Sequence, residues 1–516
     1  MDLAFSCRKL FELEMEVLLQ VQEQFLVIFQ NPWLLVICLS GVTLGIIWGA
    51  MPGLSTTMAM TLLIGLTVGM SQSAAIMFML GVYTGCVFGG AISAVLINIP
   101  GTPDAVPTMI AGYALARRGE GGLALGTAIS ASFLGNWVGI LLLIAMIPAV
   151  LFLALQFRSW EMFLLSLWGI AICGSMSSLE MPIKGWISGW IGLLISFVGL
   201  DAIHGVSRFT LGSFYLSDGI GFIPVLIGLF GISEILRVLP QKSPPKIPSK
   251  VGRVLPSLQT FKKYIRASFR SGIIGTIIGA IPGAGANVAS FFAYDIGRRR
   301  ASEEEKKKWG KGSYEAIVCA EVANNANVGG SMLPTLALGI PGNAAAAAIL
   351  AALQLKNVVV GPLIQVENPG LIYFIYIGLI IANFFMYGMA IALIKPCVRL
   401  FSLPKTLLMP LILPICILGA FSVNLNFFDV YVMLIAGLIG YVLHQFGFPL
   451  APLVLAVILG PLVDENLRRA LLVFENVGMI NVLWDRKLGT ILLLIVIYTF
   501  YDGIFRRGKS KELIHD

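Results

Sequence analysis

Hydroxyl and amide side chains gather at four Pro-Gly steps in this chain of 516 residues. Ser55, Thr56 and Thr57 follow Pro52-Gly53; Asn98 and Thr102 flank Pro100-Gly101; Asn287 comes soon after Pro282, Gly283, Ala284 and Gly285; Asn343 follows Pro341-Gly342. Each step interrupts apolar sequence, because proline removes a backbone donor and glycine releases the helical conformation. Beyond each one a new half-helix is expected to start, and its unpaired N–H groups carry roughly half a positive charge. N–H and O–H donors of this kind bind carboxylate oxygens, while hydroxyl and amide oxygens suit Na⁺. These residues therefore form the candidate solute-binding set, with a hinge or packing role as the competing reading of any single step.

No Lys or Arg lies within the steps. A multiply charged carboxylate would then need helix ends and co-bound cations to balance it, so co-transported Na⁺ or H⁺ is expected, with no cofactor. Glu321, Asn324 and Asn325 form one polar patch in an otherwise apolar helix. An acid at mid-membrane costs on the order of 2.5 to 3.5 kcal/mol on insertion scales, which makes this patch a candidate for ion coupling, with a structural hydrogen-bond anchor as the competing reading of Glu321. Asp104, two residues after Thr102, is a further ion-coupling candidate that also fits a helix N-cap. His204 and His444 read as ordinary loop or packing residues. No nucleophile–base pair emerges, so an enzyme is not expected. The seven cysteines (Cys7, Cys38, Cys86, Cys173, Cys319, Cys397, Cys416) contain no CxxC pair, which argues against a disulfide framework or a firm metal site.

The elements that must position these groups are membrane helices. The chain is 57% hydrophobic and only 12% charged, with a mean hydropathy of +0.89, whereas soluble proteins carry about a quarter charged residues. Residues 121–157 contain no Asp, Glu, Lys or Arg, enough for one steep span or a pair of helices. Residues 12–30 mix Leu, Val and Phe with Glu and Gln and suit a helix lying at an interface. Residues 1–16 lack the pattern of a removable signal peptide. Further apolar segments lie near 162–176, 186–199, 222–239, 372–394, 407–419, 431–443, 450–462 and 488–500, and residues 201–218 read as a polar connection outside the core.

The chain also repeats itself. Gly45-Ile46-Ile47-Trp48-Gly49-Ala50-Met51-Pro52-Gly53 returns as Gly275-Thr276-Ile277-Ile278-Gly279-Ala280-Ile281-Pro282-Gly283, and each copy precedes a second break, introduced by Gly89-Gly90 or Gly329-Gly330. Two halves with paired interruptions are the sequence pointer to a secondary transporter with its site at the repeat interface. Small residues spaced like Gly45 and Gly49 also serve plain helix packing. The expected organisation is a first membrane half at 1–240, a basic cytoplasmic linker at 241–270 and a second membrane half at 271–516. The linker holds Lys242, Lys246, Lys250, Arg253, Lys262, Lys263, Arg266 and Arg270 with no acid, enough to account for the formal net charge of +8. A linker held inside by its charge explains this without nucleic acid.

The limbs around Pro282-Gly283 are each too short to cross a bilayer, and both flanks are basic, so they read as a re-entrant hairpin dipping in from the cytoplasm. The matching far flank in the first half, residues 69–73, is uncharged, whereas Arg117-Arg118 marks the later loop. In the second half the order reverses. Opposite charge order points to inverted-topology halves, with parallel repeats as the competing reading.

In these residues the chain resembles the large membrane subunit of the tripartite tricarboxylate transporters, from about Gly41 to Ala470. The marks are Gly49-Ala50-Met51-Pro52-Gly53-Leu54, Asn98-Ile99-Pro100-Gly101-Thr102-Pro103, Ala116-Arg117-Arg118-Gly119, Gly228-Leu229-Phe230-Gly231, Gly279 to Ala286, Glu321 with Ala323-Asn324-Asn325, Gly339-Ile340-Pro341-Gly342 and Glu465-Asn466-Leu467-Arg468. The resemblance implies a carrier in the inner membrane of a bacterial or archaeal cell. Such a carrier takes a small carboxylate from a periplasmic solute-binding protein, works with a small second membrane subunit and is driven by an ion gradient. The chain departs from the family pattern at Ala320, Val322, Asp104 and Asn343, changes that bear on substrate more than on fold.

The expectation is therefore an all-α polytopic membrane protein of roughly ten to fourteen transmembrane or re-entrant helices in two inverted repeats, importing organic anions such as citrate. An ion channel or cation/proton exchanger using Glu321 and Asp104 is the alternative.

Overall fold

Lipid offers no partner to a backbone N–H or C=O, so a chain this apolar must satisfy its backbone within helices. The computed structural model describes residues 2–177, 181–201, 203–238, 254, 262–400, 405–477, 481 and 484–503, and helices account for nearly all of its regular structure. Seven described helices are long and apolar enough to cross a membrane, and four shorter apolar helices accompany them, within the expected range. The protein is an all-α, multi-pass membrane protein. Most of the basic linker falls outside the described residues, as does the basic tail at Arg506, Arg507, Lys509 and Lys511, which the same charge rule would hold in the cytoplasm.

Two buried helices carry the architecture: α4 (Gln72–Ile97) and its counterpart α15 (Tyr314–Leu338). Each ends at a break and continues as a half-helix, α5 (Val106–Ala116) after the first and α16 (Ala344–Leu355) after the second. A helical hairpin packs on each. The first is α2 (Pro32–Ala50) with α3 (Thr56–Thr67), and the second is α12 (Ile265–Gly279) with α13 (Gly285–Arg300). Gly41, Gly45 and Gly49 on α2 face Gly81, Gly85 and Gly89 on α4 so closely that a Cβ at Gly45 would sit 2.4 Å from the Val82 carbonyl oxygen. In the second half, a Cβ at Gly275 would sit 2.3 Å from the Ala323 oxygen. Small residues thus let backbones touch, the packing mode available where lipid supplies no hydrophobic drive between helices.

Of residues 121–157, enough for one span or a pair, all but the last three form the single long helix α6 (Gly121–Ala154), which lies against α15 through Gly135 and Gly139. The opening segment is one helix, α1 (Asp2–Gln30), followed directly by α2. Outside this core, α7 (Ser159–Ser177), α8 (Pro182–Ser196), α21 (Leu450–Val477) and α22 (Lys487–Tyr501) pack together. The rest of the bundle includes α10 (Phe222–Ile227), α11 (Ser233–Val238), α18 (Leu371–Leu400), α19 (Lys405–Asn424) and α20 (Phe427–Gln445).

The connection at 201–218 is more than a polar loop. Its Ser207–Arg208 pairs antiparallel with Gly199–Leu200 just before it, and ion pairs tie it to α21. Arg208 grips both oxygens of Asp464 at 3.0 and 2.7 Å, and Arg468 reaches Asp201 at 3.0 Å. The Ile203 N–H, His204 and Arg468 hold the Asp201 carboxyl below the usual carboxylate range. His204 lies in this loop, as expected, with Nδ1 3.1 Å from Asp201 Oδ2.

Candidate functional site

The four Pro-Gly steps are helix ends of two kinds. Asn98 and Gly339, which begin matching tetrapeptides, both close their helices in the left-handed conformation at φ 57° and 69°. Asparagine tolerates that region because its short amide bonds locally, so Asn98 acts here through its backbone. At the hairpin tips the glycines play the corresponding part, Gly53 at φ 86° and Gly283 at φ 77°.

The starts of the next half-helices differ from the expectation of free amides. The Ser55 hydroxyl accepts from the Met58 N–H at 3.0 Å and caps α3, and the Asn343 amide oxygen accepts from the Ala346 N–H at 2.8 Å and caps α16. These side chains satisfy helix ends first. The break amides are also committed: Gly101 N–H donates to the Gly90 oxygen, Gly283 N–H to the Gly342 oxygen at 2.8 Å, and Gly342 N–H to Thr335 Oγ1. By contrast, α13 begins at Gly285 with no side-chain cap.

A cavity of about 1180 Å³ lies where the breaks converge. Ser55, Thr56 and Thr57 line it from the first break, Pro103 and Asp104 from beyond the second, Gly283 to Asn287 from the third, and Asn343 from the fourth. Pro52, Gly53, Asn98, Pro100, Gly101, Thr102, Pro282, Pro341 and Gly342 are not among the lining residues. Toward the mouth the wall includes Glu234, Arg237, Asp295 and His444. Arg237 is paired there with Glu234 and with His444 Nε2.

At the inner wall a cluster joins the two halves. Asn343 Nδ2 donates to the Tyr83 hydroxyl at 2.8 Å and to Asn327 Oδ1 at 2.9 Å, and the Tyr83 hydroxyl meets Ser331 Oγ at 2.9 Å. Tyr83, Asn327 and Ser331 are absent from the sequence-derived set. Their signal was available: Tyr83 sits between Gly81 and Gly85, and Asn327 falls one helical turn beyond Asn324.

The polar patch on α15 divides in two. Glu321 and Asn325, four residues apart, share a face toward α5 and α6. Thr108 Oγ1 donates to Glu321 Oε1 at 2.5 Å, Ser132 Oγ donates to Oε2 at 3.0 Å, and Asn325 Nδ2 reaches Ser132 Oγ at 2.8 Å and Glu321 Oε2 at 3.3 Å. Asn136 extends this network from Asn325 to Asn383. All of these side chains are buried, all of the partners are neutral, and none lines the cavity. Asn324 points elsewhere, its Nδ2 donating to the Val87 carbonyl of α4 at 3.4 Å, and lies beside Asp104. Neighbouring helical residues diverge by about 100°, so one run of sequence serves two sites.

Comparison with known proteins places the chain among membrane carriers. A family profile described as "Tripartite tricarboxylate transporter TctA family" matches residues 35–455. An uncharacterized 52.8 kDa protein in the TAR-I ttuC' 3' region of Agrobacterium vitis is 34% identical over 454 residues, covering 88% of this chain and 90% of that protein. An uncharacterized protein in the TAR-II ttuC' 3' region of the same organism is 35% identical over 199 residues, covering 39% of this chain and 81% of that protein. No solved structure matches.

Proposed function

This chain belongs to the tripartite tricarboxylate transporter TctA family and is a membrane subunit of such a transporter, and from that premise we propose that it imports small di- and tricarboxylates such as citrate by ion-coupled symport. It receives the anion from a periplasmic solute-binding protein and works beside a small second membrane subunit in the cell inner membrane. The observation that carries this reading is the single cavity shared by residues of all four broken-helix regions. At about 1180 Å³ it exceeds the roughly 300–1,000 Å³ of ordinary small-molecule sites, which leaves room for a hydrated polyanion and its coupling ions. The uncapped start of α13 offers backbone N–H groups to a carboxylate, and hydroxyl and amide groups from the other breaks face it.

The test is uptake of labelled citrate into proteoliposomes containing this chain, its small membrane subunit and binding protein, under a Na⁺ gradient, a pH gradient or neither. Accumulation under at least one gradient is expected. Ion flux without carboxylate accumulation would sink the reading and leave the channel or exchanger in its place.

An inverted arrangement of the halves is part of the proposal. Lys356 Nζ donates to the Val68 oxygen at 2.8 Å, bringing the far end of α16 to the open end of the first hairpin. At the other end, Arg118 donates to the Lys311 oxygen at 2.6 Å and the Tyr314 hydroxyl to Glu120 at 2.6 Å, bringing the far end of α5 to the open end of the second. Hairpins opening at opposite ends support inverted repeats. In a cysteine-depleted background, Gln72→Cys should react with an impermeant maleimide from outside intact cells and Lys311→Cys only after permeabilisation. Labelling of both from one side would exclude inversion.

A further inference from the structure

Buried polar atoms in folded proteins nearly always have a partner, since an unpaired one forfeits its solvation without return. Asp104 Oδ2, Thr102 Oγ1 and Asn324 Oδ1 are buried without one, and Thr56 Oγ1 and Ser93 Oγ share that condition. We propose that Asp104, with the side-chain oxygens of Thr102 and Asn324, binds a Na⁺ ion in the wall of the cavity, and that Glu321 does not. The proposal rests on the cavity being the transport site and assigns the coupling ion its place there.

Three of these oxygens, on Asp104, Thr102 and Asn324, belong to neighbouring side chains. Thr102 and Asn324 lie near enough to act on the Asp104 carboxyl, yet Asp104 Oδ2, Thr102 Oγ1 and Asn324 Oδ1 make no well-aligned hydrogen bond, and Asp104 lines the cavity while only 5% exposed. Thr102 Oγ1 is aimed at α4, where a Cβ on Gly90 would lie 2.1 Å from it. Asn324 spends its Nδ2 on the Val87 oxygen, which leaves its carbonyl oxygen as the free acceptor. The Asp104 backbone is anchored by Ser290 Oγ, which donates to its carbonyl at 2.9 Å, so the carboxylate is held from the third break as well as the second.

Charge selects the ligand. Among the described residues, no Lys or Arg pairs with the Asp104 carboxyl, so a bound cation would supply the counter-charge its ionised form needs. One carboxylate among neutral hard oxygens matches a monovalent cation; a Ca²⁺ site would gather more carboxylates, and Mg²⁺ would demand an octahedral cage. Among the described residues no group of three or more His, Cys, Asp and Glu converges on a common point. Glu321 is the opposite case. Both of its oxygens already accept from hydroxyl or amide donors, so a cation would find its acceptors occupied.

The test is thermal unfolding of the purified full chain in rising NaCl, with total salt held constant by choline chloride. A ligand that binds only the folded state raises its melting temperature in a saturating fashion. Wild type and Glu321→Gln should show that rise. Asp104→Ala should lose it, and Thr102→Val, which keeps the carboxylate, should need at least about tenfold more NaCl, equivalent to about 1.4 kcal/mol. If Asp104→Ala does not fold, Thr102→Val decides. A wild-type curve indifferent to NaCl, or variants at positions 102 and 104 that respond like wild type, would overturn the site. Citrate uptake driven only by a pH gradient, with no NaCl response, would remove the site and leave the transporter reading standing. A NaCl response that depends on Asp104, with no carboxylate uptake under any gradient, would do the reverse.

Discussion

Gly101→Ala is expected to destabilise the protein by about 3 kcal/mol or more, the upper end of what overpacking usually costs. An added Cβ would lie 2.0 Å from the Gly49 oxygen and 2.8 Å from the Gly90 Cα, both of them backbone atoms on different helices. No rotamer change relieves such a contact; α2 and α4 would have to separate along the seam where Gly45 and Gly85 already let them touch. A domain whose whole stability is about 5–15 kcal/mol tolerates little of this. Detergent-extracted Gly101→Ala should melt well below wild type by fluorescence-detected size exclusion, whereas Gly69→Ala, which meets nothing within 4 Å, should match it. Equal melting of Gly101→Ala and wild type would mean that the second break does not pack against the first hairpin as described.

Glu321→Ala should cost about as much for a different reason. It strips acceptors from the buried Thr108 and Ser132 hydroxyls, while Asn325 Nδ2 keeps Ser132 Oγ and the residue-321 carbonyl, and each donor left without a partner costs about 1–3 kcal/mol. The void left by the side chain adds to this. Glu321→Gln keeps the shape and one acceptor oxygen, and its new N–H₂ can donate to a neighbouring hydroxyl, so it should cost about 1 kcal/mol. Melting of the two variants beside wild type separates a structural anchor from an ion carrier: an anchor predicts a large gap between Ala and Gln. A near-silent Glu321→Ala would show that the network does not hold α5, α6 and α15 together.

The two expectations share a cause in how the broken helices are supported. A break inside lipid survives only if its freed backbone groups find partners, and here they find them in other breaks and in the helices behind them. The Gly283 N–H bonded to the Gly342 oxygen is the plainest instance, since it joins the tips of two separate interruptions. Much of the polar chemistry near the cavity is therefore committed to holding the breaks. What remains uncommitted is narrower than composition suggested: the start of α13, and the oxygens around Asp104.

Several features were legible before any coordinates. The all-α membrane class follows from composition, because a chain with so few charges can satisfy its backbone in lipid only as helices. The four breaks are equally local: proline lacks an N–H, and Gly53 and Gly283 accept positive φ, whatever surrounds them. Glycines at four-residue spacing on α2 and before Pro282 announce close backbone contact, though not with what. The family likeness was carried by the same local tetrapeptides.

Partner choice was not legible, because it depends on side-chain direction and on contacts between segments hundreds of residues apart. Glu321, Asn324 and Asn325 are consecutive enough to look like one patch, yet helical rotation sends Glu321 and Asn325 to Thr108 and Ser132 and Asn324 to Val87 and Asp104. Tyr83 gains its place only when α4 meets Asn343 from the other half. Where helices must stop, and that the chain lives in lipid, could be read from residues taken one at a time, since both follow from local chemistry. Tertiary structure alone decided which polar atoms are spent on one another and which are left facing the cavity, since an unpaired oxygen is defined by everything that fails to reach it.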